Sequence, residues 1–451
     1  MSTVDFAIVG AGISGLASAW FLREAGYSVR VLESADYLGG SIRSERSEGF
    51  LVEAGPNSTL ENTDALGELI RGVGLQQEVL EANEQAKKRY ILKQGELLPL
   101  PVSPLAFFRT PLFSAKGKLR LLAEPFFGRA RSEETIASFV RRRLGPEFLD
   151  WAIDPFISGV YAGDPEQLSV QAATRKIYAL EAEYGSLFIG ALRRLLAGRR
   201  SGPAPSGRMI SFRDGMQAFP LAIAHALGNA VESGVVVSAL TRIQGEWQLH
   251  ADGLDVPVVR ARQVVLCVPA YHAADLLHPL MPDAAAQLRR IEYPAVASVA
   301  MGFHRQQIDH PLDGFGFLIP GKEPQETLGS LFSSTLFPGR APEGQVLLTS
   351  FIGGARNRTL GDTGQHALVQ RVYREIAPIL GISSQPVFSR VNFWRHAIPQ
   401  YKIGHLRLLE QVSAALSHHP GLHLRANWIG GISLADCVRN AREFSRHARA
   451  V

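Results

Sequence analysis

The chain opens on an apolar run, Val4-Asp5-Phe6-Ala7-Ile8-Val9, which predicts a buried strand. Gly10-Ala11-Gly12-Ile13-Ser14-Gly15 follows at once, and Leu16 to Ala25 has helical periodicity. Gly26-Tyr27-Ser28 reads as a turn and Val29 to Leu32 as a second strand, with Glu33 at its end. Two apolar stretches between Ala86 and Leu100 flank Gln94-Gly95 and predict a hairpin. From 104 to 200 the pattern is mostly helical, and Ser201 to Ser206 is a Ser/Gly/Pro linker that places a boundary near 200. Gly215-Met216-Gln217-Ala218-Phe219-Pro220 opens a helix. Val235-Val236-Val237 and Val264-Val265-Leu266-Cys267-Val268-Pro269 read as buried strands. Residues 290 to 395 are sheet-rich, and Leu422 to Ala450 reads as strand, glycine turn and helix.

This pattern predicts an α/β (α+β multidomain) fold. A Rossmann-like domain is assembled from 1–85, about 205–275 and 395–451. A sheet-based domain takes about 86–103 and 276–394, and a helical domain about 104–204. The first strand, glycine loop, helix, second strand and acid form a dinucleotide fingerprint in its required context. Gly10 allows the tight turn, Gly12 lets backbone N–H groups approach a pyrophosphate, and Gly15 permits close helix–sheet packing. Glu33 suits a ribose. Behind it, Gly39-Gly40 lets the chain pass near a ligand, and Arg43 offers a two-pronged phosphate contact. Plain nicotinamide enzymes have no need of this second element, so the cofactor expected is FAD.

Composition changes the picture little. The chain has 451 residues, 46% hydrophobic and 20% charged, with a formal net charge of +5. That suits a globular chain of two or three domains. Cys267 and Cys437 cannot build a disulfide framework, which points to a reducing compartment and to packing roles. Phe6 to Leu22 is apolar but lacks a basic leader, and its glycines fit the nucleotide turn. No zinc-finger, RRM or basic-region pattern appears, so no nucleic-acid partner is expected. No metal-ligand spacing or Ser/His/Asp arrangement stands out. His304 and His310 read as surface residues, and neither His396 nor His405 is assigned as a base.

The run Asp154-Pro155-Phe156-Ile157-Ser158-Gly159-Val160-Tyr161-Ala162-Gly163-Asp164-Pro165, with Leu168-Ser169 after it, resembles the oxygen-dependent protoporphyrinogen oxidases of haem biosynthesis. Further matches are Glu53 to Ser58, Lys88-Arg89-Tyr90-Ile91, Ser211 to Gln217, Gly314 to Pro320, Phe332-Ser333-Ser334, and Trp394 through Tyr401 to His405. The resemblance covers nearly the whole chain. It implies six-electron oxidation of protoporphyrinogen IX in three rounds, with hydride passing to flavin N5, O2 as acceptor and H2O2 as by-product. No side chain is assigned as a catalyst.

The resemblance also assigns sites. Arg89 would bind a propionate, Gly159 would leave room for the macrocycle, and Phe315, Leu318 and Phe332 would wall the pyrrole rings. Gly159 also reads as a helix-end glycine, and the three apolar residues also read as sheet core. Cofactor contacts would come from Gly10, Gly12, Ile13, Ser14, Gly15, Glu33, Ser34, Gly39, Gly40 and Arg43. Gly55, Pro56, Asn57 and Ser58 would add to them, as would Leu240, Trp394, Asn427, Gly431, Ile432 and Ser433. Ala426 stands where the family has glycine, which leaves the local geometry open.

Coproporphyrinogen III oxidation is the alternative closest to this reading, and more basic groups around the pocket would favour it. An amine oxidase would share the nucleotide motifs but needs an aromatic cage, for which only Trp394 stands out. Pro104 to Phe113 mixes aromatics with Arg109, and Lys116, Lys118 and Arg120 follow. That suits an interfacial surface, or a buried helix edge with basic flanks. The location expected is the cytoplasm, peripheral on the inner face of the cell membrane. The resemblance leaves room for a homodimer and for hand-over of the photoreactive product to a ferrochelatase.

Overall fold

The computed structural model describes residues 3–196, 207–252, 256–357, 360 and 363–448. The linker Ser201 to Ser206 lies outside the described residues.

Val4–Val9 is the middle of a seven-stranded sheet. It runs parallel to Val29–Glu33 on one side and to Val259–Leu266 on the other. Val231–Ser233 extends the parallel set beyond Val29–Glu33. Leu422–Leu424, from the far end of the chain, runs parallel to Val259–Leu266. Glu246–Ala251 and Val237–Ile243 add an antiparallel edge. Being central, Val4–Val9 feeds both faces, which is why it is an almost unbroken apolar run. Phe6 and Ile8 pack with Leu16 and Trp20 of the helix Ile13–Glu24 and with Leu434 and Val438 of the helix Leu434–His447. Ala7 and Val9 pack on the opposite face with Leu277, Leu288 and Leu408.

The expected strand at Val235-Val236-Val237 needs correction. Gly234 turns the chain with φ +76, and Val236 is 47% exposed. The strand begins only at Val237 and lies on the sheet edge, so those valines have no second face to bury.

The second seven-stranded sheet has the order Phe388–Trp394, Val296–His304, Gln345–Gly353, Thr327–Leu331, Gly314–Leu318, Lys88–Lys93, Glu96–Pro99. Lys88–Lys93 and Glu96–Pro99 form a hairpin. Its turn residues Gln94 and Gly95 have φ of +53 and +84, as a two-residue hairpin with the native twist requires. Within the region read as sheet-rich, Gln365–Leu380 is a helix. Its Leu368, Val372 and Ile376 cover one face of the sheet, packing with Leu92, Val299 and Met301. The other face packs in part against Phe50 and Val52 and against Leu112 and Phe113.

The segment from Pro104 to Leu196 is built of short helices. Arg143, fully buried, meets the equally buried Glu124 at 3.2 Å and also pairs with Glu181. Glu124 in turn accepts hydrogen bonds from Ser186 Oγ (2.5 Å) and Leu187 N (2.9 Å). A buried charge persists only when paired and hydrogen-bonded, and this cluster pins the helices together.

Candidate active site

The fingerprint loop is as tight as its glycines require. Gly10 has φ +101, and a Cβ on Gly15 would stand 1.9 Å from Gly10 O. A Cβ on Gly12 would meet nothing within 4 Å, so the loop faces open space there. Ile13 and Ser14 start the helix, directly behind the loop. Glu33 accepts hydrogen bonds from Ala11 N at 2.7 Å and Ala35 N at 2.9 Å, while Ser34 Oγ donates to it at 3.2 Å. The acid is thereby fixed beside the loop, and a carboxylate has lone pairs left for a ribose.

Gly39 and Gly40 come against this loop. Gly39 N donates to Ala11 O at 3.0 Å, and a Cβ on Gly40 would lie 3.3 Å from Gly12 Cα. Arg43 is exposed, with its guanidinium 4.4 Å from the centroid of the Tyr37 ring. Gly55 passes so close that a Cβ would stand 2.0 Å from Ser41 O. Pro56, Asn57 and Ser58 follow it, partly buried. Asn57 Nδ2 is buried and has no hydrogen-bond partner among the described residues. A buried donor left unmade costs about 1–3 kcal/mol, which a ligand acceptor would recover.

The C-terminal turn closes on Tyr401. Its hydroxyl donates to Asn427 O at 2.6 Å and accepts from Gly431 N at 3.2 Å. Gly430 and Gly431 take φ of +77 and +133. Ile432 is partly buried, and Ser433 caps the last helix, its Oγ accepting from Asp436 N at 3.1 Å. Ala426 is not among the residues with positive φ, so the alanine needs no glycine geometry there. An open glycine cradle, an anchored acid, an orphaned amide and a second glycine turn together fit a dinucleotide. Leu240 is 4% exposed in the core with Leu249 and Leu266, so its contact with a cofactor would come from its backbone.

The opposite face of the second sheet runs from Arg89 to Trp394, with Phe50 and Val52 packed on Ala300, Leu347 and Phe388. Cross-strand partners share a face, and the register carries it through Gly316, Leu331, Thr349, Ala300 and Arg390, with Trp394 two rungs further along the last strand. At one end, Trp394 Nε1 donates to Ala54 O at 2.7 Å, tying the sheet to the loop that holds Gly55 and Asn57. At the other, Arg89 is exposed, and its guanidinium lies 5.4 Å from the Phe315 ring centroid. No acid pairs with it among the described residues. Leu318 lies on this face beneath Gly159, where a Cβ would be 2.6 Å from Leu318 Cδ2. Gly159 is inside the helix Asp154–Tyr161, not at its end; Ala162, with φ +47, ends that helix.

Phe332 does not join them. It is fully buried in the core on the opposite face, its ring 6.2 Å from Phe317 and 5.5 Å from His310. The strand Thr327–Leu331 ends just before it, so alternation no longer predicts its side. His310 also departs from its surface reading: it is half-buried against Tyr90 and Phe332, and burial lowers its pKa.

Sequence reasoning missed Arg208. It lines a cleft of about 400 Å³ with Arg89, Lys87, Glu81, Glu84 and Phe315. Its only sequence signal is its place at the start of the strand Arg208–Phe212.

Both cysteines are buried, and burial pushes their thiols up, Cys267 to about 12 and Cys437 to about 11. Neither is a nucleophile at neutral pH. His405 is held neutral by burial, with a pKa near 4, stacked 4.3 Å from Tyr401. Among the described residues no three His, Cys, Asp or Glu could hold a metal, and no helix is long and apolar enough to cross a membrane.

Comparison with known proteins agrees with this geometry. The flavin containing amine oxidoreductase family matches residues 13–447. Protoporphyrinogen oxidase 1, chloroplastic, of Spinacia oleracea is 36% identical over 98% of this chain and 83% of its own length. Coproporphyrinogen III oxidase of Bacillus subtilis is 26% identical over 96% of this chain and 95% of its own. A crystal structure from Exiguobacterium sp. 255-15 that carries the protoporphyrinogen oxidase name superposes with a TM-score of 0.83 at 26% identity, covering 99% of this chain and 98% of that one. The chain belongs to the flavin-containing amine oxidoreductases, within their protoporphyrinogen oxidase branch, and is an FAD-dependent oxidoreductase.

Proposed function

We propose that this chain oxidises protoporphyrinogen IX to protoporphyrin IX in haem biosynthesis, with O2 as the final acceptor. The observation that carries the reading is Arg89, an uncommitted guanidinium at one end of a sheet face whose other end is bonded to the cofactor cradle. A guanidinium fork fits a propionate, and the Phe315 ring beside it suits a pyrrole edge. Leu318 packs against the helix Asp154–Tyr161, and Gly159 allows that close approach at the edge of the site. Apolar walls with one placed charge orient a macrocycle and exclude water from the reacting carbon.

When bound, FAD supplies the hydride acceptor and the O2-reactive centre, so each two-electron round yields one H2O2. The glycine loop, Glu33 and the Gly430-Gly431 turn would hold it. The protein's task is then positioning, because loss of hydride from a carbon between electron-rich pyrroles needs no strong base. The plant relatives at 36% identity favour protoporphyrinogen over the coproporphyrinogen relatives at 26% and 27%.

The helical segment supports a membrane-surface reading. Val102 is 91% and Phe126 88% exposed, and Leu105, Phe108, Leu119 and Leu122 are also exposed beside Arg109 and Lys116. Apolar side chains ringed by basic ones suit an anionic lipid surface. Flotation with anionic liposomes tests it, and protein left at the bottom of the gradient removes it.

The function is tested by purifying the protein, recording its flavin spectrum, and offering each porphyrinogen under air while following porphyrin fluorescence. Faster turnover of protoporphyrinogen is expected. A yellow protein that forms no porphyrin from either substrate refutes the reading.

A further inference from the structure

The glycine turn at the cofactor cradle is held mainly by side chains. Each carbonyl from Asn427 to Gly430 has its own donor. Tyr401 Oη donates to Asn427 O at 2.6 Å, and His405 Nε2 donates to Trp428 O at 3.0 Å. From the last helix, Asn440 Nδ2 reaches Ile429 O at 3.0 Å and Arg439 Nη2 reaches Gly430 O at 3.3 Å. Burial keeps His405 neutral, so beside a carbonyl its Nε2 must carry the proton. Trp428, fully buried, donates from Nε1 to Val268 O at 3.0 Å. Val268 borders the fingerprint loop, since a Cβ on Gly10 would lie 3.1 Å from Val268 Cγ1. The turn is therefore fastened to the nucleotide loop as well as to Tyr401 and His405.

We propose that Tyr401 and His405 are positioning residues for the flavin, which set the direction of the turn's unpaired N–H groups. The inference rests on the turn being part of the cofactor site, as read above, and not on the choice of porphyrinogen. In a trans peptide the C=O and the following N–H point opposite ways, so fixing a carbonyl also fixes an amide. Gly431 N is spent on Tyr401 Oη at 3.2 Å, whereas Gly430 N and Ile432 N have no hydrogen-bond partner among the described residues. Unpaired amides just ahead of a helix favour an electron-rich group. A reduced flavin carries more negative charge than an oxidised one, so correctly aimed amides hold it more tightly and raise its reduction potential. Tyr401 and His405 are 2% and 4% exposed, and their rings stack 4.3 Å apart at 12°. Both therefore act through the turn rather than by touching a ligand, and each braces the other.

The test compares FAD affinity and the two-electron midpoint potential across variants. Affinity is read as flavin fluorescence released on diluting the holoprotein, and potential by titration against a reference dye. Tyr401→Phe keeps the ring and loses one hydroxyl. It should weaken FAD binding about fivefold and lower the potential by about 30 mV, a tenfold loss of preference for the reduced form. His405→Leu should do the same. His405→Gln, which keeps an N–H near the place of Nε2, should stay close to wild type. Mere packing predicts the reverse order, because a buried apolar site accepts leucine better than an amide. Tyr27→Phe removes a like hydrogen bond, to Ala448 O at 3.1 Å, from the far end of the last helix and should change neither quantity. Should Tyr401→Phe not fold, the His405 pair decides alone. Gly431→Ala, at φ +133 with a Cβ 2.5 Å from Asp436 Oδ2, distorts the turn itself and should weaken FAD binding at least as much. If Gly431→Ala loosens FAD while Tyr401→Phe and His405→Leu change neither affinity nor potential, this inference alone falls. If all three bind FAD as wild type does, the turn is not part of the cofactor site and both readings fall.

Discussion

Replacing Gly159 by alanine separates a substrate-site glycine from a merely helical one. Gly159 lies inside the helix Asp154–Tyr161, where alanine is favoured over glycine by about 1 kcal/mol. The new methyl would stand 2.6 Å from Leu318 Cδ2, with Leu318 Cδ1 and Cγ both at 3.7 Å. Reaching ordinary contact at 3.4 Å demands a shift of about 0.8 Å. Overpacking costs about 1–3 kcal/mol, and the lower end applies because the clash is with the tip of a flexible side chain. The two terms nearly cancel, so the folded state should lose no more than about 1 kcal/mol and Tm should move by only a few degrees. Catalysis has no such compensation. The displaced Leu318 methyl moves into the space above the sheet, and a methylene-sized misfit in an apolar site is worth about 10–200-fold. We therefore expect kcat/KM for protoporphyrinogen to fall by at least tenfold while the flavin spectrum and Tm stay near wild type. Leu318→Val in the same background should restore part of it by withdrawing the clashing carbon. Unaltered kcat/KM in Gly159→Ala, or a loss that Leu318→Val does not relieve, refutes the reasoning.

Arg89→Leu should raise the KM for porphyrinogen about tenfold without releasing flavin, the low end for a charged hydrogen bond because the site is exposed. Arg89→Lys should recover only part of this, since the fork is lost; an unchanged KM in Arg89→Leu removes the residue from the site. Gly15→Ala should abolish flavin retention, because its Cβ meets the backbone oxygen of Gly10 at 1.9 Å and the helix must move about 1.1 Å even to reach 3.0 Å. The ratio of visible to ultraviolet absorbance reads this directly, and a fully yellow variant contradicts it. Stability should fall as pH drops from 6.5 toward 4. His405 and His423 are buried neutral with pKa near 4, so the unfolded chain binds the extra protons in that window. Glu53, raised to about 6 by burial, acts oppositely between 4.5 and 6, but one group over a narrower span cannot offset two. Denaturant midpoints measured across that range check the sign, and a flat profile rules it out.

The parts legible in the sequence were those with local causes. The fingerprint from Val4 to Glu33 could be read because strand, glycines, helix and acid are consecutive and each obeys its own steric rule. The hairpin at Gln94-Gly95 was legible for the same reason. The exposure of Val236 was not, since β-branched residues look alike on an edge and in a core. The helix Gln365–Leu380 was hidden by its setting between strands, although its apolar spacing is helical. Phe332 was misplaced because alternation stops where the strand Thr327–Leu331 ends. Arg208 and its partners Glu61 and Glu81 lie more than a hundred residues apart, and only the pairing of Arg208–Phe212 with Thr59–Glu61 and Val79–Glu81 brings them together.

The position of Val259–Leu266 has a consequence for how the chain comes to be folded. It pairs with the much earlier Val4–Val9 on one flank, and on the other with Glu246–Ala251 at its start and the much later Leu422–Leu424 at its end. During synthesis Val4–Val9 waits more than two hundred and fifty residues for this partner, and the end of the far flank stays open until Leu422–Leu424 follows. Such long closures are slow to form, and unpaired parallel edges invite association with other chains. Overproduction should thus favour aggregates at high synthesis rates, and slower expression with added riboflavin should recover more native protein.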